Sequence, residues 1–332
     1  MDGKAETIFQ EVNKLLSEKG IDGRNLIAAC TDGATVGCHP GVVQKLRQEY
    51  NSELAGVHCT AHRLPLSASD AAKPVLQVKK FQQDLRSIFK EPKLTFTQPH
   101  AVHWLSIHSA VSVVCRTVKS LSDILEHIAA SNTQDSVKAK SLLNSVRQFN
   151  CVALCHLMLD VLMHIVLLSF FTSLAVRSNK LHDLQRQLIF KRESLDFSTV
   201  QPMTHGTKEA VKELTVNPGA SEEEFFNSLE DNKFKGDKMF DCHTQKPAFD
   251  NVKSRYVSSL IDEIERHFPA DAMNLLTWFS VLEPRRALAA KQPTEEEFSQ
   301  YGQENLDRLL KHFATSVCAE VAASEFRDYG LK

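Results

Sequence analysis

Four groups of residues in this 332-residue chain have types and spacings that could do chemistry. The first is Thr31-Asp32-Gly33, which follows the compact apolar run Asn25–Cys30. An aspartate at the carboxyl end of a buried strand lies where open α/β sheets bind ligands, and it can hold a divalent cation in a two-metal site. Asp-Gly is also a turn dipeptide, so Asp32 fits equally well as the cap of the turn it opens. The second group is His58-Cys59-Thr60-Ala61-His62-Arg63, where Cys59 and His62 are three apart and share a face at a helix start. Such a pair can share a metal, but a structural zinc needs four ligands. The spacing from Cys30 through Cys38 and His39 to Cys59 and His62 matches no zinc finger. A packed Cys59/His62 pair with no bound metal is therefore expected. Nucleophilic catalysis is not, because neither an oxyanion hole nor an orienting acid accompanies the pair.

The third group surrounds Trp104, in Pro99-His-Ala-Val-His-Trp-Leu-Ser106. It opens a helical pattern whose apolar side carries Ile107, Ala110, Val111, Val114, Val118 and Leu121. A tryptophan there is expected in the core, and stacking on a nucleobase is the alternative use. The fourth is His156, Asp160 and His164, spaced i, i+4, i+8 along one face of the apolar stretch Val152–Val176. These three could ligate a metal, but a hydrogen-bonded polar stripe is the expected reading. The stretch is long enough for a bilayer, which takes about 20 residues. An aspartate at mid-membrane costs roughly 2.5–3.5 kcal/mol, however, so a central buried helix is expected and no membrane partner.

The elements that would position these residues are mostly helical. Gly is 12 and Pro 11, too few for a turn-dense all-β chain. The apolar fraction of 42% with 24% charged residues fits a folded chain and excludes an acidic disordered one. Short strands are expected near residues 25–31 and 54–59. From Leu64 onward the apolar period is about 3.6, giving helices at Val75–Phe89, Leu105–Ala130, Ser136–Phe149, Val152–Val176, Lys180–Ser194, Phe249–Phe268, Ala270–Phe279 and Thr294–Ala323. Phe197–Ala220, with Pro202, Gly206, Pro218 and Gly219, and residues 231–248, with Gly236 and Pro247, read as loops. Eight cysteines are too sparse for a secreted disulfide scaffold, and no secretory leader opens the chain, so an intracellular protein with free thiols is expected.

Net charge is −2, but it is unevenly distributed. Residues 1–200 hold 23 basic and 18 acidic side chains, and residues 201–332 hold 16 and 23. Glu222-Glu223-Glu224 follows Ser221 and Glu295-Glu296-Glu297 follows Thr294, so each reads as a capped helix start complementing the helix dipole. The basic excess of the first part permits nucleic-acid contact without requiring it.

Taken in order, Thr31-Asp32-Gly33-Ala34, Gly41-Val42, His58-Cys59-x-x-His62-Arg63-Leu64-x-Leu66 and His103-Trp104-Leu105-Ser106 resemble the hAT superfamily of DNA transposases. The resemblance is closer to its domesticated vertebrate relatives of the zinc-finger MYM type. Leu159-Asp160-Val161-Leu162, Val281-Leu282-Glu283-Pro284 and Tyr301-Gly302 extend it over roughly residues 20–315. It implies a chain that is mainly α with a small α/β part: an incomplete RNase H-like core carrying a large all-helical insertion. On that reading residues 1–66 are a partial core, 67–200 the helical insertion, 201–248 a loop-rich linker and 249–332 a C-terminal helical region.

The resemblance also implies site residues. Asp32 matches the second acid of a DDE set, Cys59 and His62 match the family's Cys-x-x-His motif, and Trp104 matches the tryptophan of an Arg/Lys-Trp block, with His103 in place of the basic residue. The first acid has no match, since Asp2 and Asp22 lie outside any strand-like pattern. Nothing around Glu320 or Glu325 resembles the block of the last acid. The implied protein is nuclear, catalytically inactive and free of cofactors, with a vestigial Asp32 and a protein or DNA partner. Two alternatives stand beside it. One is residual Mg²⁺-dependent transposase or nuclease activity using Asp32. The other is an incomplete fragment with no independent function, for which the strand at residues 25–30 would have an exposed edge.

Overall fold

A computed structural model describes residues 5–31, 41–58, 60–89, 104–131, 133–172, 197–282, 302–314 and 318–330. The chain is mainly helical, as its composition and 3.6-residue periodicity require. It divides into two compact units. The first comprises Met1–Arg63, Phe171–Thr204 and Phe268–Lys332; the second comprises Leu64–Phe170 and His205–His267. The helix expected at Lys180–Ser194 lies outside the described residues.

The first unit is built on two parallel strands, β1 (Ala28–Thr31) and β2 (Ala55–His58), in the register Ala28 to Ala55 and Thr31 to His58. Parallel strands need a crossover, which contains α2 (Val42–Glu49). Val42, Val43 and Leu46 on one face of α2 bury with Leu54 against Ile8, Phe9 and Val12 of α1 (Ala5–Glu18). The close approach of α2 to β2 depends on Gly56, where a Cβ would come within 2.8 Å of Val43 Cγ1. Successive residues of a strand face opposite ways. Ala55 accordingly packs on the other side, with Phe279 of α11 (Ala270–Phe279), Val281, and Leu306 and Leu309 of α12 (Gln303–His312). The connection is pinned by Asn51, whose Nδ2 donates to the Leu26 carbonyl at 3.0 Å, and by Tyr50, whose hydroxyl donates to Asn13 Oδ1 at 3.0 Å. Among the described residues neither β1 nor β2 pairs with a further strand.

The second unit is a helical body. It includes α3 from its fifth residue (the helix runs Thr60–Ala72), α4 (Leu76–Phe89), α5 (Trp104–Ala130), α6 (Ser136–Val146) and most of α7 (Phe149–Thr172). The apolar residues of α7 run round its whole circumference, and a helix of that kind belongs in a core. Phe149–Val166 has a mean hydropathy of 1.8 and suits a membrane by length and composition, yet 72% of it is buried within the protein. Phe149, Leu157, Val161 and Leu162 are fully buried. The sequence expectation of a central buried helix holds.

Residues 201–248 are not a loop-rich linker. They hold most of α8 (Phe197–Glu213), then α9 (Ala220–Asn227), a three-stranded meander of β3 (Leu229–Glu230), β4 (Lys233–Phe234) and β5 (Asp237–Lys238), and the start of α10 (Cys242–His267). Pro202 and Pro247 each lie six residues into a helix and each remove one amide donor. Burial of Val200, Val211 and Leu214 in and beyond α8, and of Cys242 and Phe249 in α10, outweighs that local loss. The meander turns on two-residue corners, Asp231-Asn232 and Lys235-Gly236, all four with positive φ. That is the geometry that matches the twist of paired strands. The meander is tied to the start of α7 by Phe240, whose N–H donates to the Arg147 carbonyl at 2.7 Å while its carbonyl accepts from Phe149 at 3.1 Å. The expected single helix at Thr294–Ala323 is α12 and, from Ala319, α13 (Ala319–Gly330) over its described residues.

Candidate functional site

Asp32 and Cys59 lie outside the described residues. β1 and β2 end side by side at Thr31 and His58, one residue short of each. His62 is the third residue of α3 and Trp104 the first of α5, and these two belong to different units. The polar chemistry that the described residues bring together lies in the second unit.

The His156/Asp160/His164 face resolves into three different environments. Asp160 is 9% exposed, and its carboxylate sits at the start of α9, with Oδ1 accepting from Ser221 N–H and Oδ2 from Glu222 N–H, both at 2.9 Å. It is the cap of a helix 60 residues away, satisfying two of the donors that a helix N-terminus leaves open. Ser221, expected to cap this helix, lies inside it; the N-cap position is Gly219, which offers no side chain. A Cβ on Gly219 would fall on the Asp160 carboxylate. Glu222 is not part of a solvated acidic run either. Both its oxygens accept from Lys253 Nζ at 2.9 Å, and the two side chains are 3% and 7% exposed. Burial pushes the Glu222 carboxyl above its ordinary value, while Lys253 pulls it down. His164 is half-buried, and burial lowers its pKa. Asp160 thus joins this face of α7 to the start of α9.

Asp70, Glu263 and His267 form the one metal-like group among the described residues, with ligand atoms all within 4.8 Å of one another. Its carboxylates are already neutralised. Arg266 Nη2 lies 2.8 Å from Asp70 Oδ2 and 2.5 Å from Glu263 Oε2, and Lys73 Nζ lies 2.5 Å from Asp70 Oδ1. His267 Nε2 is 3.3 Å from Asp70 Oδ2, and burial lowers the imidazole pKa against the pull of that carboxylate. A divalent ion entering here would have to displace the guanidinium. The arrangement acts as an ion-pair network tying α3 to the end of α10.

The third cluster is of thiols. Cys155 on α7 is buried, and Cys115 on α5 and Cys151 one turn back push its thiol pKa up together with burial. The Cys115 thiol is drawn down to about 6 by Cys155 and by His156, against the effect of burial, while the Cys155 thiol moves the opposite way. His156 is 1% exposed, stacked on Phe225 at 5.3 Å and edge-on to Phe234 at 5.5 Å, and neither ring nitrogen has a hydrogen-bond partner. Cys151 also lines an open polar cavity of about 370 Å³ with Lys80, Asp84, Asn144, Asn150 and Gln245.

None of these three clusters is stated as a site by sequence motifs. Asp160 and His156 carried a signal, being polar residues inside an apolar helix, but their partners are set by long-range packing. No family model and no solved structure matches the chain.

Proposed function

We propose that this chain is a domesticated hAT-transposase-derived protein that acts by binding a protein or nucleic-acid partner and does not cut DNA. The carrying observation is the order in which the chain builds its two units. It makes a parallel β1–β2 pair covered by helices, leaves that unit after Arg63, and returns to it for good at Phe268. A helical body interrupting a small α/β core is the organisation the motif resemblance implies, with Asp32 following β1 and the Cys59-x-x-His62 motif following β2. On this reading the α/β unit is the remnant of an RNase H-like core and the protein is nuclear.

Inactivity follows from the acids. Two-metal phosphoryl chemistry needs several carboxylates converging on ions about 3.5–4 Å apart. The resemblance supplies Asp32 alone, and one carboxylate leaves a Mg²⁺ ion holding most of its waters. The test is incubation with Mg²⁺ or Mn²⁺ and labelled transposon-end DNA, alongside a gel-shift series over salt concentration. No nicking is expected. Metal-dependent nicking abolished by Asp32→Ala would overturn the proposal in favour of residual transposase activity.

A further inference from the structure

We propose that the open cavity of about 370 Å³ in the second unit binds a free α-amino acid with a neutral polar side chain, such as glutamine, asparagine or serine. Helices that pack against each other, as α4 and α6 do, ordinarily close their seam with apolar side chains. Here α4 lines the seam with Gln77, Lys80, Phe81 and Asp84, which share one face at i, i+3, i+4 and i+7. Ser141, Asn144, Ser145 and Gln148 repeat that spacing along α6 and just past its end. Phe81 is the one apolar side chain among these, and the seam stays open. The volume lies in the range of small-molecule sites, about 300–1,000 Å³.

The charges select the ligand. Lys80 and Asp84 stand one turn apart on the cavity wall, and no ion pair holds either of them among the described residues. One uncommitted cation beside one uncommitted anion matches the carboxylate and ammonium that an α-amino acid carries on a single carbon. A phosphate group would meet the Asp84 carboxylate as well as Lys80, and an apolar ligand would strip water from polar groups without replacing it.

The amides set the side-chain preference. Asn150 N–H can only donate, so its partner on Gln245, at 3.0 Å, is Oε1. Gln245 Nε2 is thereby turned to Gln148 and donates to its Oε1 at 2.7 Å. Gln148 Nε2 is left as an uncommitted donor on the cavity wall. With the Ser141 and Ser145 hydroxyls, which can donate and accept, it suits a side-chain amide or hydroxyl.

The test is isothermal titration calorimetry of the full chain with L-glutamine, L-asparagine and L-serine, at up to about 10 mM. N-acetyl-L-glutamine amide, adenosine and inorganic phosphate are titrated beside them. The free amino acids should bind and the other three should not. N-acetyl-L-glutamine amide keeps the side chain and lacks both charges, so it stands for a residue inside a partner's peptide chain. Lys80→Met and Asp84→Asn should each weaken binding about tenfold or more, since each removes a charged partner of the ligand. Cys151 lines the same cavity, so bound amino acid should slow its alkylation by iodoacetamide without protecting the exposed Cys318. The wild-type titrations require no variant to fold. Binding by none of the amino acids, binding of the blocked derivative as tight as that of free glutamine, or bound ligand that leaves Cys151 unprotected would overturn the proposal.

Discussion

Replacing Lys253 with methionine is the sharpest probe of how the second unit is held together. The substitution keeps most of the side-chain volume and removes the ammonium that donates to both Glu222 oxygens at 2.9 Å. Glu222 is 2% exposed and cannot turn to water, and its own N–H is committed to Asp160. Leaving one partner of a buried ion pair behind costs about 3–5 kcal/mol. At a urea slope of about 2 kcal/mol per molar, the midpoint for this unit should drop by about 1.5–2.5 M in far-UV circular dichroism. Adding Glu222→Leu should recover most of that loss, because a buried pair replaced by apolar residues is often neutral or stabilising.

The pH dependence gives a second reading of the same variant. Burial already raises the folded Glu222 pKa above 4.5, so the native state holds this proton more readily than the unfolded chain does. The stability that goes with that proton is present below 4.5 and is lost as pH rises through the raised value. Without Lys253 the folded value rises further, so the Lys253→Met penalty should shrink as pH is lowered from neutral towards 4.5. A penalty below about 1 kcal/mol at neutral pH, or a double variant as unstable as the single one, would refute the assignment of a buried, mutually dependent pair.

Two further outcomes can be measured in parallel. Gly219→Ala should lower stability by about 1–3 kcal/mol by pushing Asp160 off the start of α9, whereas Gly206→Ala, mid-helix in open space, should raise it by about 0.5–1 kcal/mol. Equal effects at the two glycines in thermal melts would show that the Asp160 cap is not what Gly219 serves. His267 has its pKa lowered by burial, so the unfolded chain binds its proton more readily and stability should decline as pH falls below 6.5. In His267→Gln that part of the decline should vanish, and an unchanged pH profile would show that the proton is taken up elsewhere.

Local patterns were readable where one element decides its own fate. The helices of α4 through α6 and of α11 follow the 3.6-residue period, α7 follows an unbroken apolar stretch, and β1 and β2 follow short apolar runs. The misreadings share one cause. Pro202, Gly206 and Pro247 break helices in isolation, and only the burial of Val200, Val211 and Phe249 reverses the balance. Asp231-Asn232 and Lys235-Gly236 look like generic loop residues, yet their positive φ values make tight corners for strands only two residues long. Such strands carry too little periodicity to be seen in sequence.

The amino-acid sequence by itself determined that this protein is mainly helical and that α7 is a core helix despite its length and hydropathy, and it pointed to a partner for Asp160, because an unpaired buried charge is costly. It could not say which partners. Asp160 meets α9 sixty residues on, and Asp70 meets His267 across 197 residues. Contacts at that separation are chosen by how whole helices pack, through summed burial that no local motif contains. Tertiary structure alone made Asp160 of the expected polar stripe the cap of α9.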